Sequence, residues 1–161
     1  MNVKTGNLID GLFNGEVDII AHCCNCQNNF GSGVAKEIKE RIPSAYEGDC
    51  YAHEQMAGNL LGFYFVNHPD KHKVANIYAQ EYYGTYGDHY KRTGRQLDYG
   101  ALVVALTDFA EHCIEHEYTI VGFPYKFASD RAGGDWDVVQ EIVEGIFSER
   151  GIDVIWYKLE D

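Results

Sequence analysis

A short apolar run that breaks into polar side chains and glycines directly before a helical pattern leaves a chain few folds to choose from. Residues 18–35 read Asp-Ile-Ile-Ala-His-Cys-Cys-Asn-Cys-Gln-Asn-Asn-Phe-Gly-Ser-Gly-Val-Ala. Ile19, Ile20 and Ala21 belong to a buried strand over 18–23, and Gly31-Ser32-Gly33 makes a turn. Residues 34–41 then put Val34, Ala35 and Ile38 on one helical face, with Lys36, Glu37, Lys39 and Glu40 outside. In α/β proteins, ligands bind beyond the carboxyl ends of such strands. The unpaired N–H groups and the dipole of the first helical turn attract an anion such as phosphate.

The arrangement recurs further along. Residues 119–123 read as a second buried strand, 124–134 as a glycine-bearing loop, and Asp135 as the cap of a helix over 136–150. Two such loops set opposite each other would grip a pyrophosphate from both sides. Elsewhere the pattern predicts a first strand at Val3-Lys4 turning at Gly6-Asn7-Leu8-Ile9, a loop over 10–17 and a helix over 44–56. A strand over 58–66, a turn over 67–70 and a strand over 73–80 form a hairpin. A tyrosine-rich connection over 81–96 leads to Asp98, the cap of a helix over 99–116, and 153–159 is the last strand. Strands alternating with helices, interrupted by one hairpin, give a single α/β domain over 1–161 with a mixed, mostly parallel central sheet between helical layers.

Composition narrows the partners. A formal net charge of -12 opposes binding to nucleic-acid duplexes or acidic membranes. It also means that an anionic ligand must be held by backbone amides and local geometry. Met1–Asn7 does not have the pattern of a signal peptide, and no apolar run approaches the ~18 residues of a membrane span. Five cysteines read as free thiols in a reducing, cytoplasmic compartment. Three of them cluster as Cys23-Cys24-Asn25-Cys26, but no second pair follows, and Cys50 and Cys113 are isolated. No metal or cofactor is expected, and small thiols at a buried strand end are the preferred reading. Gly31-Ser32-Gly33 is not a dinucleotide fingerprint, because Lys36 stands where the third glycine belongs. His22, at the carboxyl end of the strand, is either a hydrogen-bonded core residue or a group for proton chemistry. Asn25 either caps a turn or forks onto a sugar diol.

Residues 21–35 resemble the macro domain pattern Val-Asn-Ala-Ala-Asn-x-x-Leu-x-x-Gly-Gly-Gly-Val-Ala, aligned without gaps. The resemblance extends to Gly6-Asn7-Leu8, to 124–136 and to 153–159, so it covers nearly the whole chain. His22-Cys23-Cys24-Asn25-Cys26 and Ala132-Gly133-Gly134-Asp135-Trp136 are most similar to the branch with ADP-ribose 1″-phosphate phosphatases, phage macro proteins and the terminal ADP-ribose protein glycohydrolase. The resemblance implies a three-layer α/β/α fold whose ligand is ADP-ribose or a derivative. It places Asn7 and Leu8 at the adenine, with the Asn7 carbonyl accepting the adenine amino group. It sets Asn25 at the distal ribose and Gly31, Ser32, Gly33 and Val34 at the diphosphate. Ala128, Ser129, Asp130, Arg131, Ala132 and Gly133 form the second phosphate loop, and Tyr157 or Trp156 offers an aromatic face to adenine. It makes His22, with Asn25, the catalytic pair, His22 orienting water or protonating a leaving ribose oxygen.

Two departures bear on activity. A Gly-Cys-Gly of the branch is replaced by Ala128-Ser129-Asp130, which adds Cβ atoms and a negative charge where backbone should approach phosphate; Arg131 stands beside it as a compensating cation. Ala79-Gln80-Glu81 stands where the glycohydrolase has its nucleophilic lysine, so a covalent lysine route is not expected. Three functions remain open: an ADP-ribose 1″-phosphate phosphatase or ADP-ribosyl hydrolase, a module that binds without turnover, and a degenerate domain kept for protein contacts. The sequence leaves oligomeric state open.

Overall fold

The computed structural model describes residues 1–67 and 70–160. In chain order the elements are β1 (Asn2–Thr5), α1 (Leu8–Phe13), β2 (Ile19–Asn25), α2 (Gly33–Arg41), α3 (Pro43–Gln55) and β3 (Tyr64–Val66). They continue with β4 (Lys73–Gln80), α4 (Asp88–Thr93), α5 (Tyr99–Glu115), β5 (Ile120–Pro124), α6 (Trp136–Ser148) and β6 (Asp153–Lys158). The sheet runs β1-β6-β5-β2-β4-β3, parallel throughout except for the antiparallel β3–β4 pair. This is the mixed, mostly parallel sheet expected from the hairpin between alternating units.

Alternation along the central strands builds two cores. β2 sends Ile19 and Ala21 to one face and Ile20 and Cys24 to the other, and β4 splits Ala75, Ile77 and Ala79 from Val74 and Tyr78 in the same way. The first face is covered by Leu102, Leu106 and Phe109 of α5 and by Val139, Val143 and Phe147 of α6. The second is covered by Leu8, Ile9 and Leu12 of α1, Ile38 of α2, and Ala45 and Ala52 of α3. Helices therefore lie on both faces, in three layers. Each large side chain buried this way contributes roughly 1.5–3 kcal/mol. The two expected helix caps are formed: Asp98 accepts from Ala101 N, and Asp135 accepts from the N–H groups of Asp137 and Val138.

Three expectations are corrected. Residues 8–13 are helical rather than loop, because Asn7 caps them by accepting from Ile9 N and Asp10 N. Gly11 within that helix reflects close packing, since a methyl there would collide with the Tyr157 ring. The strand foreseen over 58–66 shrinks to β3, with turns before it at Gly58 (φ +78°) and Gly62 (φ +89°). The connection over 81–96 contains α4, and Gln96, 3 % exposed, ties its entry by donating to the carbonyls of Gly84 and Tyr86 at 2.8 Å each. The turn expected over 67–70 falls in part outside the described residues.

What positions the site is the junction of β2 and β5. These strands are neighbours and parallel. The chain leaves β2 for helices on one face and leaves β5 for α6 on the other. Connections diverging to opposite faces from adjacent strands open a crevice at the carboxyl ends.

Candidate functional site

A cleft of about 240 Å³ fills that crevice. One wall is the β2–α2 loop. Asn25 folds it by accepting from Gln27 N at 2.9 Å and donating to the Asn29 carbonyl at 3.1 Å. Asn28 takes φ +56°, which asparagine tolerates better than most residues, and Asn29 Oδ1 accepts from Gly31 N at 2.8 Å. Gly33 enters α2 at φ +59°, a conformation suited to glycine. Ser32, the cap residue, makes no side-chain capping bond. Among the described residues, the N–H groups of Gly33, Val34 and Ala35, which line the cleft, meet no backbone acceptor.

The opposite wall follows β5. Consecutive turns run Phe127 N to Pro124 O at 2.9 Å, Ser129 N to Lys126 O at 2.9 Å, and Gly134 N to Ala128 O at 3.0 Å. Lys126 and Ala128 sit at φ +61° and +58°. For alanine this left-handed conformation costs roughly 1–2 kcal/mol. Among the described residues, the N–H groups of Ala128, Asp130, Arg131 and Ala132 meet no backbone acceptor. The walls are not equivalent. Asp135 occupies the N-terminus of α6 with its own carboxylate, so donors on this side come from the loop and not from the helix.

The structure gathers most of the sequence candidates into the cleft. His22, Asn25, Gly31, Ser32, Gly33, Val34, Ala128, Asp130, Arg131 and Ala132 line it, whereas Asn7, Leu8, Ser129, Gly133 and Tyr157 do not. Asp130 and Arg131 are both exposed, so the added carboxylate and its neighbouring cation stand together at the rim. The Asn7 oxygen is already an acceptor for two helix amides and for Arg41 Nη1 at 3.3 Å, and its nitrogen donates to Glu37 at 2.9 Å. That oxygen is therefore engaged in capping α1. Tyr157 corrects the expected aromatic face: it is 4 % exposed and donates to Glu16 at 2.9 Å. Trp156 is fully buried and donates to Glu144 at 2.6 Å. Tyr125 and Tyr83 are the tyrosines that reach the cleft instead. Lys126, Phe127, Asn29, Phe30 and Gln80 also line it. Sequence reading passed over these, although Tyr125, Lys126 and Phe127 stand in the loop it had marked.

His22 forms the floor. It is 2 % exposed, Nε2 lies 2.7 Å from Asn76 Oδ1, and Phe30 stands edge-on at 5.1 Å. Burial lowers its pKa to about 4, with the Asn76 bond opposing the shift. That favours the neutral ring at pH 7 and opposes an imidazolium proton-donor role. The neighbouring thiols are inert in the same way: burial pushes Cys23 and Cys26 up to about 12 and Cys24 well above the usual thiol range.

No family profile matches the sequence. An uncharacterised 17.5 kDa protein of enterobacteria phage T4, from the tk-vs intergenic region, is 25% identical over 140 residues, 84% of each chain. An ADP-ribose 1″-phosphate phosphatase of Meyerozyma guilliermondii is 40% identical over 47 residues, 27% of this chain and 27% of that protein. Among solved structures, a macrodomain protein from Streptomyces coelicolor superposes with a TM-score of 0.69 at 26% identity, covering 88% of this chain and 87% of the other. Thermosipho africanus DarTG in complex with ADP-ribose superposes with a TM-score of 0.74 at 13% identity over 98% of this chain and 42% of that one.

Proposed function

From a chain that has the macrodomain fold, we propose that the cleft binds ADP-ribose and hydrolyses its 1″-phosphate ester. The observation that carries the binding is a pair of walls, each with N–H groups that meet no backbone acceptor among the described residues, facing each other at a switch point of the sheet. A protein of charge -12 offers a pyrophosphate no general positive field, so it must be held by groups at the cleft itself. The ADP-ribose of the Thermosipho structure and the short phosphatase match support the ligand and the ester, respectively.

On this reading Asn25 turns its amide from the loop to the distal ribose hydroxyls, and the diphosphate lies between 31–34 and 128–132. Tyr125 supplies an aromatic wall. Water adds to phosphorus and releases a proton to solvent, the bond from phosphorus to the ribose oxygen breaks, and that oxygen takes a proton from solvent, because burial keeps His22 out of the imidazolium form at neutral pH. The neutral imidazole acts as an acceptor that orients a hydroxyl or the water. Binding energy from the ADP half holds the ester in place.

The same observations favour a second reading, a module that binds without turnover. Ala128 narrows the approach to the second wall, Asp130 opposes the anion, and the buried histidine is a weak base. Calorimetry with ADP-ribose, together with phosphate release from ADP-ribose 1″-phosphate, separates the two. The enzyme reading expects micromolar binding, abolished in Asn25→Ala, and phosphate release lost in His22→Ala with binding retained. Tight binding with no phosphate released leaves the module; no binding at millimolar ADP-ribose removes both.

A further inference from the structure

A continuous polar chain runs through the interior beneath the cleft, and ligand binding alone does not account for it. His22 on β2 and Asn76 on β4 are register partners on adjacent parallel strands. The Asn76 amide is not free to turn. Its nitrogen lies 3.2 Å from the Ala45 carbonyl and 3.5 Å from Tyr78 Oη. A backbone carbonyl only accepts, so the amide nitrogen must face it. Oδ1 therefore faces His22 and must accept, which puts the ring proton on Nε2. The far end is fixed as well. Tyr78 Oη donates to Asp49 Oδ1 at 2.5 Å, and Asn28 Nδ2 donates to Asp49 Oδ2 at 2.8 Å. Asp49 and Tyr78 are 0% exposed and Asn76 is 1% exposed. From the histidine onward the chain passes a donor from each member to the next, toward that carboxylate, while the Asn76 nitrogen also donates to the Ala45 carbonyl. A buried carboxylate persists only where donors saturate it, so the direction of the chain is set at its end.

We propose that Asn76 is a positioning residue: anchored by Ala45 O, Tyr78 and Asp49, it locks His22 as the neutral Nε2–H tautomer and makes Nδ1 the acceptor that meets a hydroxyl at the distal end of the ligand. The Cys24 thiol lies 3.4 Å from Nε2 and 3.7 Å from Nδ1, beside a ring nitrogen already engaged by Asn76 Oδ1 at 2.7 Å, and as a weak donor it is outcompeted at Nδ1 by a ligand O–H. The same chain ties the nucleotide-facing loop to the core, since Asn28 lies in that loop and Asp49 in α3. The last clause of the proposal rests on ADP-ribose being the ligand; the tautomer does not.

The titratable groups packed around His22 are Cys24 on its own strand, Tyr78 on β4, Asp49 on α3 and, beyond Phe30, Tyr46. Long-range 1H–15N spectra of histidine-labelled protein read the ring directly. The wild type should show Nε2 protonated and Nδ1 bare from about pH 5.5 to 8, with no titration. Asn76→Asp puts a carboxylate where the amide oxygen was and should raise the His22 titration by two pH units or more, as an opposite charge in contact does. Asn76→Leu should leave a mixture of tautomers. A wild-type ring protonated at Nδ1, or an unshifted titration in folded Asn76→Asp, overturns the proposal. The wild-type spectrum decides it even where a variant fails to fold. Added ADP-ribose should shift the Nδ1 resonance. Binding seen by calorimetry with Nδ1 unmoved also overturns the proposal. Absence of any binding removes the ADP-ribose reading and leaves the tautomer result standing.

Discussion

His22 ties the stability of the fold to pH in a way that can be isolated. Burial holds its pKa at about 4 in the folded chain, against ~6.5 for an exposed histidine. Between those values the unfolded chain binds a proton that the folded chain refuses, so stability rises with pH. The contribution is present in full above about pH 6.5 and is lost as pH falls to about 4. With these two values, moving from about pH 8 to about pH 5 costs about 2 kcal/mol, a large share of the ~5–15 kcal/mol that holds a domain together. Urea melts of the wild type and His22→Gln at both pH values measure it. Glutamine does not titrate and keeps an N–H to offer Asn76. The other six of the seven histidines are common to both proteins and cancel in the comparison. The wild type should lose about 2 kcal/mol more than the variant on acidification. Equal losses, within ~0.5 kcal/mol, would show that the ring is not shielded and would refute the geometry described for the cleft floor.

Ala128→Gly relieves left-handed strain of ~1–2 kcal/mol but adds unfolded-state entropy of ~0.4–1 and removes a methyl worth ~0.8, so stability should hold within ~1 kcal/mol. Calorimetry should show ADP-ribose binding strengthened several-fold once the Cβ leaves the cleft wall. Gly134→Ala should do the opposite to the fold: its Cβ would stand 2.5 Å from the Ala128 carbonyl and 2.5 Å from Leu97 Cδ2. Overpacking of this kind costs ~1–3 kcal/mol, read as a melting temperature lower by up to ~10 °C. ADP-ribose affinity should stay flat or rise between about 20 and 200 mM salt, because salt screens repulsion from a protein of charge -12 and leaves amide donors untouched; a tenfold fall would place the affinity in Lys126 and Arg131 instead.

The layers of the fold were legible because the signals were local. Ile19, Ala21, Ile20 and Cys24 alternate, Leu102, Leu106 and Phe109 recur at helical spacing, and Asp98 and Asp135 cap the helices that follow them. The helix α1 was hidden because Asn7 reads equally as a turn residue, and because Gly11 is kept by Tyr157, far away in sequence. Tyr157 and Tyr125 could not be told apart from the sequence either. Which tyrosine reaches the cleft depends on how β6 packs on α1, and that packing seals Tyr157 against Glu16. Asp49 gave no signal at all. It stands in a polar helical stretch, and its partners Asn28 and Tyr78 come from two other elements, so only the folded chain shows it as a buried carboxylate.

The same long-range packing bears on the two roles open to the histidine at the strand end, favouring a neutral, hydrogen-bonded ring. Its place on β2 puts it on the face covered by α3, where Phe30, Ala45 and Asn76 surround it, and a charged ring there would be desolvated with an amide oxygen as its one strong partner. On the enzyme reading, the leaving oxygen would draw its proton from solvent, and the walls would supply the electrostatic work. They do so unequally. The first wall presents a helix without a side-chain cap, whose dipole converges with three N–H groups that meet no backbone acceptor among the described residues, while the second presents loop amides beside Asp130 and a helix already neutralised by Asp135. An anion bound there as proposed would be held mainly by the β2–α2 loop, which is the loop that Asp49 fastens to the core through Asn28. If the cleft holds an anion as proposed, its affinity and the proposed histidine tautomer share one buried carboxylate, which reaches the loop through Asn28 and the ring through Tyr78 and Asn76.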